Sequence, residues 1–113
     1  MTTTDRELLE RAAKAAGIAL TWHEPSCGGG ELPYVSWGSY TPAVWNPLTD
    51  GGDALRLMVK LDIVPRVISG VAFAWRDGVC DMQEPVSADP LAATRRAIVR
   101  AAAAMAGEGE NKP

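Results

Sequence analysis

Cysteine is scarce in this chain: its 113 residues include two, Cys27 and Cys80, far apart and outside any Cys-x-x-Cys pair. That usage points to neither a disulfide framework nor a zinc ribbon and leaves two reduced thiols as the expectation. Basic residues are in deficit. Eleven Lys and Arg against fourteen Asp and Glu give a net charge of −3 and a pI near 5.0, so there is no surplus of cations to neutralise phosphates, and DNA or RNA binding is disfavoured. No apolar run approaches the roughly 18 residues of a membrane span, and the opening Met1-Thr2-Thr3-Thr4-Asp5-Arg6-Glu7 lacks the apolar core of a signal peptide. A cytoplasmic protein with no membrane partner is the expectation.

What is present is ordinary for a folded domain, with 47% apolar and 22% charged residues. A chain of this size can bury about two thirds of its unfolded surface around one core without a metal or disulfide. The clearest local signal runs from Trp45 to Leu61. Asp50 is a natural N-cap, and Asp53 suits the positive end of a helix starting near Gly51. Ala54, Leu57, Met58 and Leu61 then fall on one stripe, with Arg56 and Lys60 on another face.

Thr4 to Gly17 predicts the first helix. Thr4-Asp5-Arg6-Glu7 is a capping-box pattern, in which the Thr4 hydroxyl takes the Glu7 amide and Glu7 reaches back to the Thr4 amide. Leu8, Leu9, Ala12, Ala13 and Ala16 form its apolar stripe, and Gly17 ends it. Ile18 to Trp22 fits a short strand. From Pro25 to Pro47 the composition turns to Gly, Pro, Ser and aromatics, which predicts mostly loop with one short strand at Tyr34 to Trp37.

Beyond the central helix, Ile63 to Ile68 is β-rich, but Pro65 restricts it to an edge strand or a connector. Val71 to Arg76 and Val79 to Glu84 flank Asp77-Gly78, a two-residue hairpin signal. That register places Phe73, Trp75, Cys80 and Met82 on a core face and Ala74 and Asp81 on the other. Asp89-Pro90 opens a last helix with Leu91, Thr94, Ile98, Ala101, Ala102 and Met105 at helical spacing, Arg95, Arg96 and Arg100 off that stripe, and Gly107 as terminator. The reading is one α+β domain over residues 1–107, three helices on a small antiparallel sheet in an α/β/α sandwich-like arrangement, with a disordered polar tail at 108–113.

Trp45-Asn46-Pro47, then Asp50-Gly51-Gly52-Asp53-Ala54, an aromatic-bearing hairpin, and Asp89-Pro90-Leu91-Ala92-Ala93 opening a final helix together resemble the phage α/β/α sandwich domain family, which is similar to NinX-type phage proteins. The opening amphipathic helix ending near a glycine fits that resemblance. It implies a phage or prophage origin and a sheet covered by helices. The family has no established activity, so the resemblance implies no catalytic residue.

Candidate chemistry is thin. His23, Glu24, Cys27 and Cys80 are the only conceivable transition-metal set; a structural zinc needs four ligands, and Cys80 is expected in an apolar face, so a packed thiol and a surface histidine are favoured. A Cys27–His23 nucleophile pair lacks an orienting third group. Gly28-Gly29-Gly30-Glu31 has no following Gly-Lys-Ser/Thr, and its glutamate would repel phosphate, so it reads as a turn. The aspartates lack the spacing of a calcium loop.

Arg95, Arg96 and Arg100 make a small basic face, more often solvated than functional, that could meet an acidic partner. Trp45 and Trp75 are assigned to packing. Tyr34, Trp37 and Tyr40 in the Gly-rich segment are the candidate aromatic anchors, since such residues dominate binding energy when they fill a partner's pocket.

These observations favour a small non-enzymatic protein, without cofactor or metal, that binds a host or phage protein through the 25–45 loop, with inhibition of a host or defence component as one mode of action. The alternative is a small-molecule or nucleotide-binding module, or an enzyme, with its pocket between that loop and the start of the central helix, whose free amides could receive an anion. An exposed sheet edge would also allow a homo-oligomer.

Overall fold

The computed structural model describes residues 4–24, 26, 28–36, 43–76, 80–86 and 89–110. Over these residues the elements run α1 (Asp5–Ala16), β1 (Ala19–His23), β2 (Leu32–Ser36), β3 (Ala43–Val44), α2 (Gly51–Leu61), β4 (Val64–Ile68), β5 (Val71–Arg76), β6 (Cys80–Pro85) and α3 (Pro90–Glu110). The class is α+β, as expected. Among the described residues, however, the strands form two antiparallel three-stranded sheets, in the orders β1-β2-β3 and β4-β5-β6, instead of one. Short strands were expected near β1 and β2, but the turn-rich composition between Pro25 and Pro47 concealed β3 and the pairing of the three into a sheet of their own.

Both shorter helices begin and end where their side chains dictate. In α1 the Thr4 hydroxyl oxygen accepts the Glu7 amide at 3.2 Å and the hydroxyl donates to Glu7 Oε1 at 3.1 Å. Half of the expected capping box is therefore formed: Glu7 returns to the Thr4 hydroxyl instead of to the Thr4 amide. Gly17, at φ 72°, turns the chain so that the Gly17 and Ile18 amides reach the Lys14 and Ala13 carbonyls. Leu8, Leu9, Ala12, Ala13 and Ala16 are all buried.

Helix α2 starts under the Asp50 carboxylate, which accepts the Asp53 amide at 2.8 Å. Its Ala54, Leu57 and Leu61 are buried, while Met58 is half-buried against the core. It stops at Asp62, a non-glycine residue in the left-handed region at φ 59°.

Helix α3 is the common layer. It packs on α1, on α2 and on all three strands of the second sheet. Ala97, Ile98, Val99, Ala101, Ala102, Ala103 and Ala106 are buried, so its middle is enclosed on more than one side. The stripe expected of it is partly right: Ile98, Ala101 and Ala102 lie inside, but Leu91 remains 70% exposed. Nor does the helix stop at Gly107; it continues to Glu110. One glycine costs only about 1 kcal/mol relative to alanine in a helix interior, too little to end a long helix already held by packing.

The second sheet departs from expectation in register. Arg76 pairs with Cys80, Trp75 with Asp81, Ala74 with Met82 and Phe73 with Gln83. Three residues therefore separate the strands, and Asp77-Gly78 itself lies outside the described residues. A one-residue slip changes which cross-strand pairs share a face. Ala72 and Ala74, fully buried, point at α3 with half-buried Met82. Phe73 and Trp75, expected inside with Cys80 and Met82, lie on the opposite face.

The reason is steric: a helix lined with alanines approaches a sheet closely only over small residues, so the alanines of β5 turn inward and its bulky residues outward. The two-residue hairpin loop is elsewhere. Ser69 and Gly70, at φ 51° and 77°, join Ile68 to Val71, with both central residues left-handed as a type I′ turn requires. β4 is an edge strand, as Pro65 demands.

Candidate binding surfaces

The three arginines expected to form a basic face are engaged by the protein itself. Arg95 Nε donates to the Leu48 carbonyl at 2.9 Å, in the segment that leads into α2. Arg96 donates to Asp5 of α1 at 2.9 Å and lies 3.9 Å from Glu84 of β6. Arg100 donates to the Gln83 carbonyl at 2.9 Å and to the Glu84 carboxylate. Partly exposed ion pairs of this kind contribute about 0–1 kcal/mol each, so they orient α3 against its neighbours more than they stabilise it. Spacing placed them correctly off the apolar stripe, but only the fold could show that acceptors from three segments meet them there.

Among the predicted aromatic anchors, Trp37 and Tyr40 lie outside the described residues, as does Cys27. Tyr34 is described, and sits half-buried on the outer face of the first sheet. Pairing of Thr21 with Tyr34, His23 with Leu32 and Tyr34 with Val44 puts these five residues on that face. Leu32 and Val44 are 38% and 49% exposed. His23 meets the Tyr34 ring edge-on at 5.8 Å, and its Nε2 is 3.0 Å from the Thr21 hydroxyl.

On the inward side, Pro33 and Val35 are buried and Leu20 and Trp22 are half-buried against the core. Trp22 Nε1 donates to Glu10 at 3.2 Å, and the Arg6 guanidinium lies 4.3 Å above its ring. Trp45 is 1% exposed, a packing residue as assigned.

The second sheet presents a surface that sequence reasoning missed. Its register creates three outward rows: Val64, Trp75 and Asp81; Arg66, Phe73 and Gln83; Ile68, Val71 and Pro85. None of these residues packs against the core cluster. Val64 and Ile68 are 45% and 42% exposed, and Val71, Phe73 and Trp75 remain partly exposed although flanked by strands on both sides. Arg66 and Asp81 stand on opposite edge strands, both exposed, with the aromatic residues between them. The signal available in the sequence was the alternation Val71-Ala72-Phe73-Ala74-Trp75, read together with an alanine-rich last helix.

The remaining candidates have local explanations. At the start of α2 the Asp50 carboxylate holds the Asp53 amide, while the buried Asp53 accepts the Asn46 amide at 2.9 Å and pairs with Arg56 at 2.7 Å. Two carboxylates thus occupy the helix end where an anion was to bind. Gly28, Gly29 and Gly30 all have φ near 90°, a run that only glycine makes without strain, and it forms the turn between β1 and β2. Among the described residues no group of His, Cys, Asp and Glu could hold a metal ion, and no helix is long and apolar enough to cross a membrane. No family model, characterised protein or solved structure matches this chain.

Proposed function

We propose that this chain is a small non-enzymatic protein that acts by protein–protein contact, with the outer face of β4-β5-β6 as its principal contact surface. One observation carries the reading: Phe73 and Trp75 sit at the centre of a sheet whose other face packs on α3, and both stand partly exposed on the outer face, outside the core cluster. Central aromatics framed by aliphatic and polar side chains have the composition of an interface core and its rim. On the phage or prophage origin that the sequence resemblance implies, the contact would be made in the bacterial cytoplasm, with the host's proteins or the phage's own as partners.

A photoreactive phenylalanine analogue at position 75 tests the reading, with the same residue at exposed Leu91 as control. Crosslinks to protein from position 75, absent from position 91, are the expected result. A folded protein that yields none from position 75 removes this face from the argument.

A further inference from the structure

We infer that the occupant of the β4-β5-β6 outer face is a second copy of this chain, seated face to face about a two-fold axis parallel to β5. The inference rests on the protein-contact reading above and names its partner.

Two features of the face carry it. The first is charge placement. Arg66 stands in the middle row on β4, while Asp81 stands on β6, the opposite edge, one row away. Among the described residues neither side chain has a hydrogen-bond or ion-pair partner. They are too far apart to meet within one sheet, because β5 lies between them and neighbouring strands are about 4.8 Å apart.

A two-fold axis along β5 lays β4 of each copy over β6 of the other without reversing the rows. Arg66 then faces the other copy's Gln83, with the other copy's Asp81 one step along the strand and within reach of a guanidinium. Symmetry makes that contact twice. An axis across the strands would instead stack Arg66 on its own counterpart, a like-charge contact. The face is therefore self-complementary in one orientation, as an isologous interface must be.

The second feature is the central column. The same axis stacks β5 on β5, so Phe73 meets Phe73 and Trp75 meets Trp75 across the sheets, bringing the widest apolar groups into the driest part of the contact. Aligned packing of two twisted sheets is the geometry of ordinary β-sandwiches. The contact is small. Six residues by three strands give a footprint of roughly 20 by 14 Å, well below the ~800 Å² per partner of a standard interface, so a weak dimer populated only at high protein concentration is expected.

Sedimentation of the purified chain from about 5 to 500 µM tests this, with R66E, D81R and the double swap R66E/D81R beside wild type and far-UV circular dichroism as a check on folding. The wild type should pass from monomer to dimer. Each single variant, which creates a like-charge contact, should weaken the dimer about tenfold or more, and the double swap should recover most of the loss. A wild type that stays monomeric throughout overturns the proposal, and so does a double swap as weak as the single variants.

The crosslinking experiment separates the two readings. Adducts from position 75 at masses other than twice the chain, with a monomeric protein, keep the contact surface and remove the second copy. No adduct and no dimer remove both. Salt-sensitive quenching of tryptophan fluorescence by a single-stranded oligonucleotide, lost in Trp75→Phe and with no dimer, would assign the face to nucleic acid instead.

Discussion

The two sheets of this protein solve the same problem in opposite ways. The first buries bulk: Pro33, Val35 and the adjoining Trp45 lie inside, with Leu20 and Trp22 half-buried beside them, and its outer face is a mixture of Thr21, His23, Leu32, Tyr34 and Val44. The second buries almost none. Ala72 and Ala74 meet α3, and Val71, Phe73 and Trp75 face away. The difference shows that the size of a side chain does not decide which way it points; the shape of what covers it does. An alanine-lined helix leaves no room for an indole, and excess apolar bulk becomes surface available for association.

The sharpest way to break this contrast is to remove bulk where it is needed. Trp45→Ala should cost about 3–5 kcal/mol and lower the urea midpoint accordingly, because a fully enclosed indole leaves a cavity that the first sheet cannot fill. Adding bulk to the second sheet is the converse test. Ala74→Leu should destabilise by about 1–3 kcal/mol, since α3 must move away to admit it; a neutral result in chemical denaturation would mean that the sheet is not pressed against alanines.

Gly70→Val attacks the turn that sets the second sheet's pairing. A β-branched residue at φ 77° should cost on the order of 1–2 kcal/mol, visible as a drop of several degrees in melting temperature. Asp62→Gly runs the other way, relieving a left-handed residue at the end of α2, and a gain of about 0.5–1 kcal/mol in the same melts is expected. Trp75→Ser should cost no more than about 1 kcal/mol when measured on dilute monomer, because that partly exposed ring faces away from α3 and loses cross-strand contacts only. A large loss there would mean that the second sheet's bulk is structural after all.

The three helix starts and the end of α1 were legible because their determinants are local, whereas the end of α3, at Glu110 and not Gly107, was not. Thr4, Gly17, Asp50 and the Asp89-Pro90 start all act within a few residues of the backbone they serve. The α+β class and the edge position of β4 followed in the same way, from Pro65 and from apolar periodicity. Facing was not legible, since it is a property of pairs of elements. Phe73 and Trp75 look like core until the alanines of α3 are set against β5. Arg95, Arg96 and Arg100 look like a solvated face until Leu48, Asp5, Gln83 and Glu84, distant in sequence, are brought to them. Of the aromatic anchors proposed from composition, Tyr34 stands on an open sheet face, and Phe73 and Trp75 were overlooked because bulk was equated with burial.

The pairing of α1 with α3 has a bearing on how the protein is made. Leu8, Leu9 and the alanines of α1 are synthesised well before the helix that packs on them, some ninety residues later, as the Asp5–Arg96 contact marks. While translation proceeds, α1 can pack only on its smaller neighbours β1 and α2, and closure by α3 over so long a separation is a slow step for a chain of this size. Synthesis, and not only thermodynamics, therefore sets when this fold becomes safe from aggregation.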